Sequence, residues 1–312
     1  MEYILIVLLV LTAAVFTVSY VCFRIAFYEP DRKEKVDKSI VELPNGEIYE
    51  PFREQIEKWA LETRNTPCEE VSIKSFDGLK LYGKFYEYDK ASPIEIMFHG
   101  YRGCAERDLA GGVQRCFNLK HSALIVEQRA SGKSDGNVIS FGINEHRDAI
   151  LWARFVAENF GKDRKIILTG ISMGAATVTM TADKDLPENV IGILADCGYT
   201  SAKDIIKIVI KKMKLPPTLY YPFVKLGAKI YGKFNLEEDS PLQSAKNAKL
   251  PIIYFHGDND DFVPCYMSEE NFNATPTKKA FIKVPNAGHG LAYPMDTERY
   301  FAAVTEFFKD LK

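Results

Sequence analysis

Metal-ligand spacing is missing from this chain. Its six cysteines (Cys22, Cys68, Cys104, Cys116, Cys197, Cys265) are scattered, with no C-x-x-C pair and no histidine cluster at zinc spacing among the five histidines. The pattern argues against a structural metal and against a disulfide framework, and free thiols suit a reducing compartment. An excess of one charge is missing too. Forty Lys and Arg stand against 42 Asp and Glu, a net charge of −2. No basic block is long enough to make the electrostatic footprint of a nucleic-acid binder. There is no internal repeat and no low-complexity tract. A phosphate loop is absent as well: "RASGKSDG" (129–136) has Glu127 where the motif needs its first Gly, and Asp135-Gly136 where it needs a helix. Glu145 and Asp148 sit near a predicted helix start, where acids favour the dipole, so they read as capping rather than catalytic.

What is present begins with one long charge-free run. Residues 3–23, "YILIVLLVLTAAVFTVSYVCF", lie between Glu2 and Arg24. As a helix they span about 30 Å, the thickness of a bilayer core. A cleaved signal peptide fits less well, because the leading region is acidic, the run is too long and no small-x-small site follows. The expectation is a single-pass transmembrane anchor in the cell membrane. Arg24, Arg32, Lys33, Lys35 and Lys38 follow the span and no Lys or Arg precedes it. The positive-inside rule therefore puts the large C-terminal part in the cytoplasm.

Residues 24–66 read as a linker and an amphipathic helix. The charged stretch 29–50 carries Pro30, Pro44 and Asn45-Gly46. "PFREQIEKWALET" then places Phe52, Ile56, Trp59 and Ala60 near helical spacing, and Pro67 ends it. Residues 67–312 form the main domain. "VSIKSFDGLKLYGKFYEY" alternates about a turn at Asp77-Gly78, a hairpin signal. Apolar runs follow at 94–98, 123–126, 165–169, 190–195, 251–255 and 280–284, with helix candidates at 145–160, 174–183 and 296–311. A hairpin plus six runs alternating with helices predicts an α/β fold with a mostly parallel eight-stranded sheet flanked by helices. More than fifty residues separate the runs ending at Ala195 and starting at Pro251. A crossover needs about a dozen, so this is an insertion. Rich in Tyr, Pro, Leu and Met, it is expected at about 199–240 as a helical cap above the C-terminal edge of the sheet, where such sheets bind ligands.

"KIILTGISMGAAT" (165–177) joins a strand-like run to a helix-like one through Gly170-Ile171-Ser172-Met173-Gly174. That is G-x-S-x-G in its required context, with glycines allowing a sharp turn that leaves the Ser172 hydroxyl exposed. A serine needs an adjacent base, itself oriented by an acid. In this architecture the partners follow in the order Ser, acid, His. Only His256 and His289 come after Ser172. His289, in the Gly-flanked loop "PNAGHGLAY", is the expected base. For the acid, "HGDNDDFVP" offers Asp258, Asp260 and Asp261, and spacing does not choose among them; Asp196 is a more distant candidate. The oxyanion hole needs two backbone N–H donors. Met173 follows the nucleophile, and Tyr101, in "MFHGYRG" after an early strand, is expected to supply the second.

Together, "MFHGYRG", "EQRASGKSDG", "GISMG", "SPLQSAKNAKLPIIYFHGDNDDFVP" and "AGHG" resemble the α/β-hydrolases over about residues 67–312. The closest likeness is to bacterial serine hydrolases with an N-terminal membrane helix, grouped with serine-aminopeptidase-like and cinnamoyl-esterase-like domains. In that family the acid lies in H-G-x-x-D-x-x-V-P, so His256 and Gly257 set the register and the resemblance implies Asp260. It also implies Ser172 as nucleophile, His289 as base, and Tyr101 and Met173 as oxyanion donors. Two departures stand beside these: Glu127 where relatives have Asp, and Ser131 where they have His. The expected activity is cleavage of an acyl ester through a Ser-His-Asp triad, on a small-molecule or lipid-like substrate, with no metal or organic cofactor. A thioesterase or an aminopeptidase with the same triad, and a non-catalytic membrane scaffold, are the alternatives.

Overall fold

The computed structural model describes residues 1–30 and 46–311. In chain order it has α1 (Glu2–Ala26), a 3-10 turn (Glu47–Phe52), α2 (Arg53–Asn65), β1 (Glu69–Lys74), β2 (Lys80–Tyr86), β3 (Ile94–Phe98), α3 (Ala105–Asn118), β4 (Ser122–Glu127) and α4 (Glu145–Asn159). Then follow β5 (Ile166–Ile171), α5 (Met173–Thr179), β6 (Val190–Asp196), α6 (Ala202–Lys212), α7 (Pro217–Ile230) and α8 (Pro241–Lys246). The chain ends with β7 (Ile252–Gly257), α9 (Tyr266–Ala274), β8 (Lys279–Val284), α10 (Ala292–Met295) and α11 (Thr297–Phe308). The expected linker residues Arg32, Lys33, Lys35, Lys38, Pro44 and Asn45 lie outside the described residues.

The eight strands form one sheet in the order β1-β2-β4-β3-β5-β6-β7-β8. The expected hairpin is there: β1 and β2 pair antiparallel, with Ser72 opposite Tyr82, and β2 is antiparallel to β4. All pairs from β4 onward are parallel. The central strands β3, β6 and β7 are buried along their whole length. Helices cover both faces of such a sheet, so its strands appear as continuous apolar runs. One core lies between the sheet and α4, around Trp152, Leu168 and Ile193. The opposite face packs on α11 through Leu194, Phe255 and Tyr300.

Helices α3 and α9 do not announce themselves in the sequence. α3 carries Gly111 and Gly112 in its interior, each costing about 1 kcal/mol relative to Ala. Tertiary contact overrides that cost: a Cβ on Gly111 would lie 2.7 Å from the Trp59 ring, and one on Gly112 2.8 Å from Met97 Sδ. The glycines let α2 and the sheet approach. α9 is nine residues with weak apolar periodicity, and the call-sign of a helix is missing for that reason. The helix expected at 174–183 ends at Thr179.

The insertion forms α6 and α7, and α7 packs along the C-terminal half of α1. A Cβ on Gly227 would stand 2.4 Å from the Ser19 carbonyl oxygen, and the Tyr231 ring lies 5.1 Å from that of Tyr20. Apolar residues from Tyr3 to Leu11 are largely exposed, whereas Ser19, Phe23 and Phe27 are buried. Beyond α1 the chain is stitched into the domain. Tyr28 bridges Val138, Glu29 N–H donates to Asn137, and Ile139 N–H donates to Phe27.

Candidate active site

The turn from β5 to α5 carries Ser172 at φ 56° and ψ −116°, in the region that side chains rarely adopt. The surrounding backbone forces it there. A Cβ on Gly170 would fall 2.1 Å from Gly174 O, and one on Gly174 2.0 Å from Phe98 O. The Ser172 amide is tied to Asp196 O at 2.8 Å. Strain of this kind, about 1–3 kcal/mol, persists only where the surroundings over-determine it, and such positions cluster at functional sites.

His289, in the loop after β8, brings Nε2 to 2.9 Å from Ser172 Oγ. Its Nδ1 lies 2.7 Å from Asp260 Oδ2. Asp260 is almost fully buried after β7, and its Oδ1 accepts from Phe262 N–H and Val263 N–H. Burial pushes this carboxyl up, but hydrogen bonds from His256 and His289 outweigh burial and hold it well below the usual carboxylate range. Sequence reasoning set His256 aside as a base. The structure places it behind Asp260, with Nε2 3.2 Å from Asp260 Oδ2 and Nδ1 2.7 Å from Ser268 Oγ. The i,i+4 spacing of His256 and Asp260 was the available signal.

None of the other candidate acids hydrogen-bonds His289. Asp258 accepts from Asn286 N–H. Asp261 is exposed. Asp196 is buried and accepts from Tyr300 Oη at 3.1 Å, with burial raising its carboxyl. Cys197, Asp260 and His289 bring donor atoms within 4.8 Å of one another. The Asp and His atoms are already joined in the hydrogen-bonded relay, and burial keeps the Cys197 thiol protonated. A thiol in that state is a poor ligand.

Met173 opens α5, where a first-turn amide has no partner within its own helix. Tyr101 stands in the turn after β3, held by Gly103 N–H donating to Gly100 O. A Cβ on Gly100 would lie 3.9 Å from Ser172 Oγ, so this turn runs directly over the serine. Ser131, one of the two departures noted above, donates to Gly103 O at 2.7 Å, and Glu127 accepts from Ser131 and from Ala105 N–H. The departures brace the far end of that turn.

Ser172 and His289 open into a cavity of about 680 Å³. Its apolar walls include Ile48, Ile56, Trp59, Leu109, Leu291 and Tyr293. Tyr49 Oη donates to His289 O, pinning the 3-10 turn beside His289. Among the described residues, none from 199–240 lines this cavity. Residues 46–59 supply part of the wall instead, while the insertion, expected as a cap, packs on Met173, Phe141 and Phe27.

A serine at a strained strand–helix turn, on a mostly parallel eight-stranded sheet, defines an α/β-hydrolase. Solved structures agree on the fold. The Pyrococcus furiosus esterase Pf2001 matches with a TM-score of 0.63 at 22% identity, covering 80% of this chain and 93% of that one. Est1E from Butyrivibrio proteoclasticus, solved with ferulic acid, matches with a TM-score of 0.60 at 19% identity, covering 77% and 98%. The protein YqkD of Bacillus subtilis is 24% identical over 283 residues, 89% of each chain. The model of the prolyl oligopeptidase family, Peptidase_S9, matches residues 140–312, more than half of the chain. The chain belongs to that family, and it is a serine hydrolase of the α/β-hydrolase superfamily.

Proposed function

We propose that the protein is a membrane-anchored hydrolase that cleaves acyl esters, with Ser172 as nucleophile, His289 as base and Asp260 as the orienting acid. The observation that carries this reading is the unbroken relay from Ser172 Oγ through His289 to Asp260, at 2.9 and 2.7 Å. His289 Nε2 takes the hydroxyl proton as Oγ attacks the acyl carbonyl. Asp260, ionised at neutral pH, stabilises the imidazolium and fixes its tautomer. The tetrahedral oxyanion is received by the amides of Met173 and Tyr101. His289 then returns the proton to the leaving alcohol, and water attacks the acyl-enzyme by the same path in reverse. The apolar cavity beside the serine and the nearby membrane helix favour a lipid-like or aromatic acyl group.

A second reading has one specific observation behind it. Glu47 and Asp261 line the same cavity, and a carboxylate there suits a substrate with a free amino terminus. A panel of acyl esters, thioesters and aminoacyl amides decides between them. Higher kcat/KM on the amides makes the enzyme a peptidase. The activity itself is tested by labelling the full chain with a fluorophosphonate. Ser172→Ala is expected to abolish labelling and to lower kcat by about a million-fold. A folded wild type that resists the probe turns the protein into the scaffold alternative.

Retention of α1 is supported by the burial of Ser19, Phe23 and Phe27, which a cleaved leader would remove. The Lys and Arg count favours a cytoplasmic domain. In that orientation the exposed Cys68 stays unlabelled by an impermeant maleimide on intact cells and reacts after lysis. Labelling without lysis reverses the orientation.

A further inference from the structure

The last turn of α1 ends on the loop that carries Tyr101. A helix leaves its final carbonyls without intrahelical partners. Here two of them are taken by side chains from that loop. Tyr101 Oη donates to Ala26 O at 2.8 Å, and Arg102 Nη2 donates to Ile25 O at 2.9 Å. Arg102 also reaches Tyr28 O at 3.1 Å and pairs with the buried Glu29 at 3.0 Å. A cation at a helix C-terminus is favoured by the dipole as well.

The loop needs that grip. Arg102 has φ 52°, a left-handed conformation in a residue that is not glycine, which persists only under outside constraint. The Tyr101 ring packs on Phe141 with centroids 4.9 Å apart, and Phe141 in turn meets the fully buried Phe27 at 5.8 Å. The hydrogen bonds from Tyr101 and Arg102 join residues 74 to 77 positions apart in the chain. They fix the side chains of Tyr101 and Arg102, and with them the direction of the Tyr101 amide.

We propose that the C-terminal end of the apolar helix positions the oxyanion loop, with Tyr101 Oη and Arg102 as positioning residues, so that the membrane span is part of the catalytic unit rather than a tether. The proposal rests on the reading of Tyr101 N–H as an oxyanion donor. Seating of α1 on α7 through Gly227 and Ser19 then controls catalysis from a distance. A misplacement of 1 Å in a catalytic group is enough to cost about a hundredfold in rate.

The test uses the full chain in detergent micelles or nanodiscs. Tyr101→Phe removes one oxygen and keeps the amide and the ring. The expected result is a roughly tenfold fall in kcat with KM unchanged, and an equal fall in affinity for a boronic acid, whose tetrahedral adduct on the serine places an oxygen in the oxyanion hole. A merely structural role lowers Tm and leaves the boronate affinity alone. Gly227→Val, remote from the cavity, wedges α1 off α7 and is expected to weaken boronate binding in the same direction. Wild-type boronate affinity in both folded variants overturns the proposal. Fluorophosphonate labelling that survives Ser172→Ala sinks the triad assignment instead, so the two failures are separable.

Discussion

Two glycine-containing turns meet above the sheet, and they are held in opposite ways. The elbow at Ser172 is closed by backbone packed on backbone: Gly170 against Gly174, and Gly174 against Phe98. The turn at residues 100–103 closes one backbone hydrogen bond of its own, Gly103 N–H to Gly100 O, and is otherwise held by side-chain hydrogen bonds, to Ala26, Ile25 and Tyr28 on one side and from Ser131 on the other. A turn closed by its own backbone has one geometry as long as the domain is folded. A turn held by distant hydrogen bonds can shift by fractions of an ångström while the fold survives. On the proposed reading, the position of Ser172 follows from the fold itself, and that of Tyr101 from how α1 is seated.

Substitutions can break that contrast. Removal of the Ser172 hydroxyl has the largest effect, the million-fold loss of kcat given above. Asp260→Asn comes next, with kcat lowered about ten-thousand-fold because His289 is left in the wrong tautomer; single-turnover acylation rates measure it. A loss of less than tenfold would mean that another group orients the base. Gly174→Ala strikes the elbow's backbone contact. It is expected to cost 3 kcal/mol or so, the upper range for overpacking, read as a lower midpoint in urea unfolding. An unshifted midpoint would show that the elbow tolerates relaxation. Tyr101→Phe, by contrast, lowers kcat about tenfold with a small change in Tm. If Gly174→Ala altered only kcat and Tyr101→Phe only Tm, the contrast between the turns would be reversed.

The smallest effect is pH-dependent. The folded-state Asp260 carboxyl lies below its ordinary value, so its stabilising contribution is present above the usual Asp range, about pH 4, and is lost as pH falls through the folded value. The Tm gap between wild type and Asp260→Asn is expected at pH 7 and narrows on acidification below about pH 4. A gap that is constant with pH would show that the folded carboxyl is not depressed.

The strands were legible because parallel strands buried on both faces must be apolar throughout, and the runs at 94–98 and 190–195 coincide with β3 and β6 to within a residue. Glycine spacing and chain order single out Ser172 and His289, and the structure brings their side chains to 2.9 Å. The acid was not legible from spacing: Asp258, Asp260 and Asp261 stand within four residues, and only the fold turns Asp260 inward to His289. The helix at 105–118 was hidden by glycines whose purpose is contact with Trp59 and Met97. Length and composition mark the insertion at about 199–240 as a cap, yet none of its described residues lines the cavity, and residues 46–59 supply part of the wall.

The sequence by itself determined the order of the elements, the apolar span and the serine at the strand exit, since each is written in periodicity or turn chemistry over a few neighbouring residues. Tertiary structure alone decided which carboxylate meets His289, which segment walls the cavity, and that the end of the apolar helix grips the loop over the serine. Those are contacts between residues tens to more than a hundred positions apart, and no local pattern encodes which distant backbone oxygen a tyrosine hydroxyl will find.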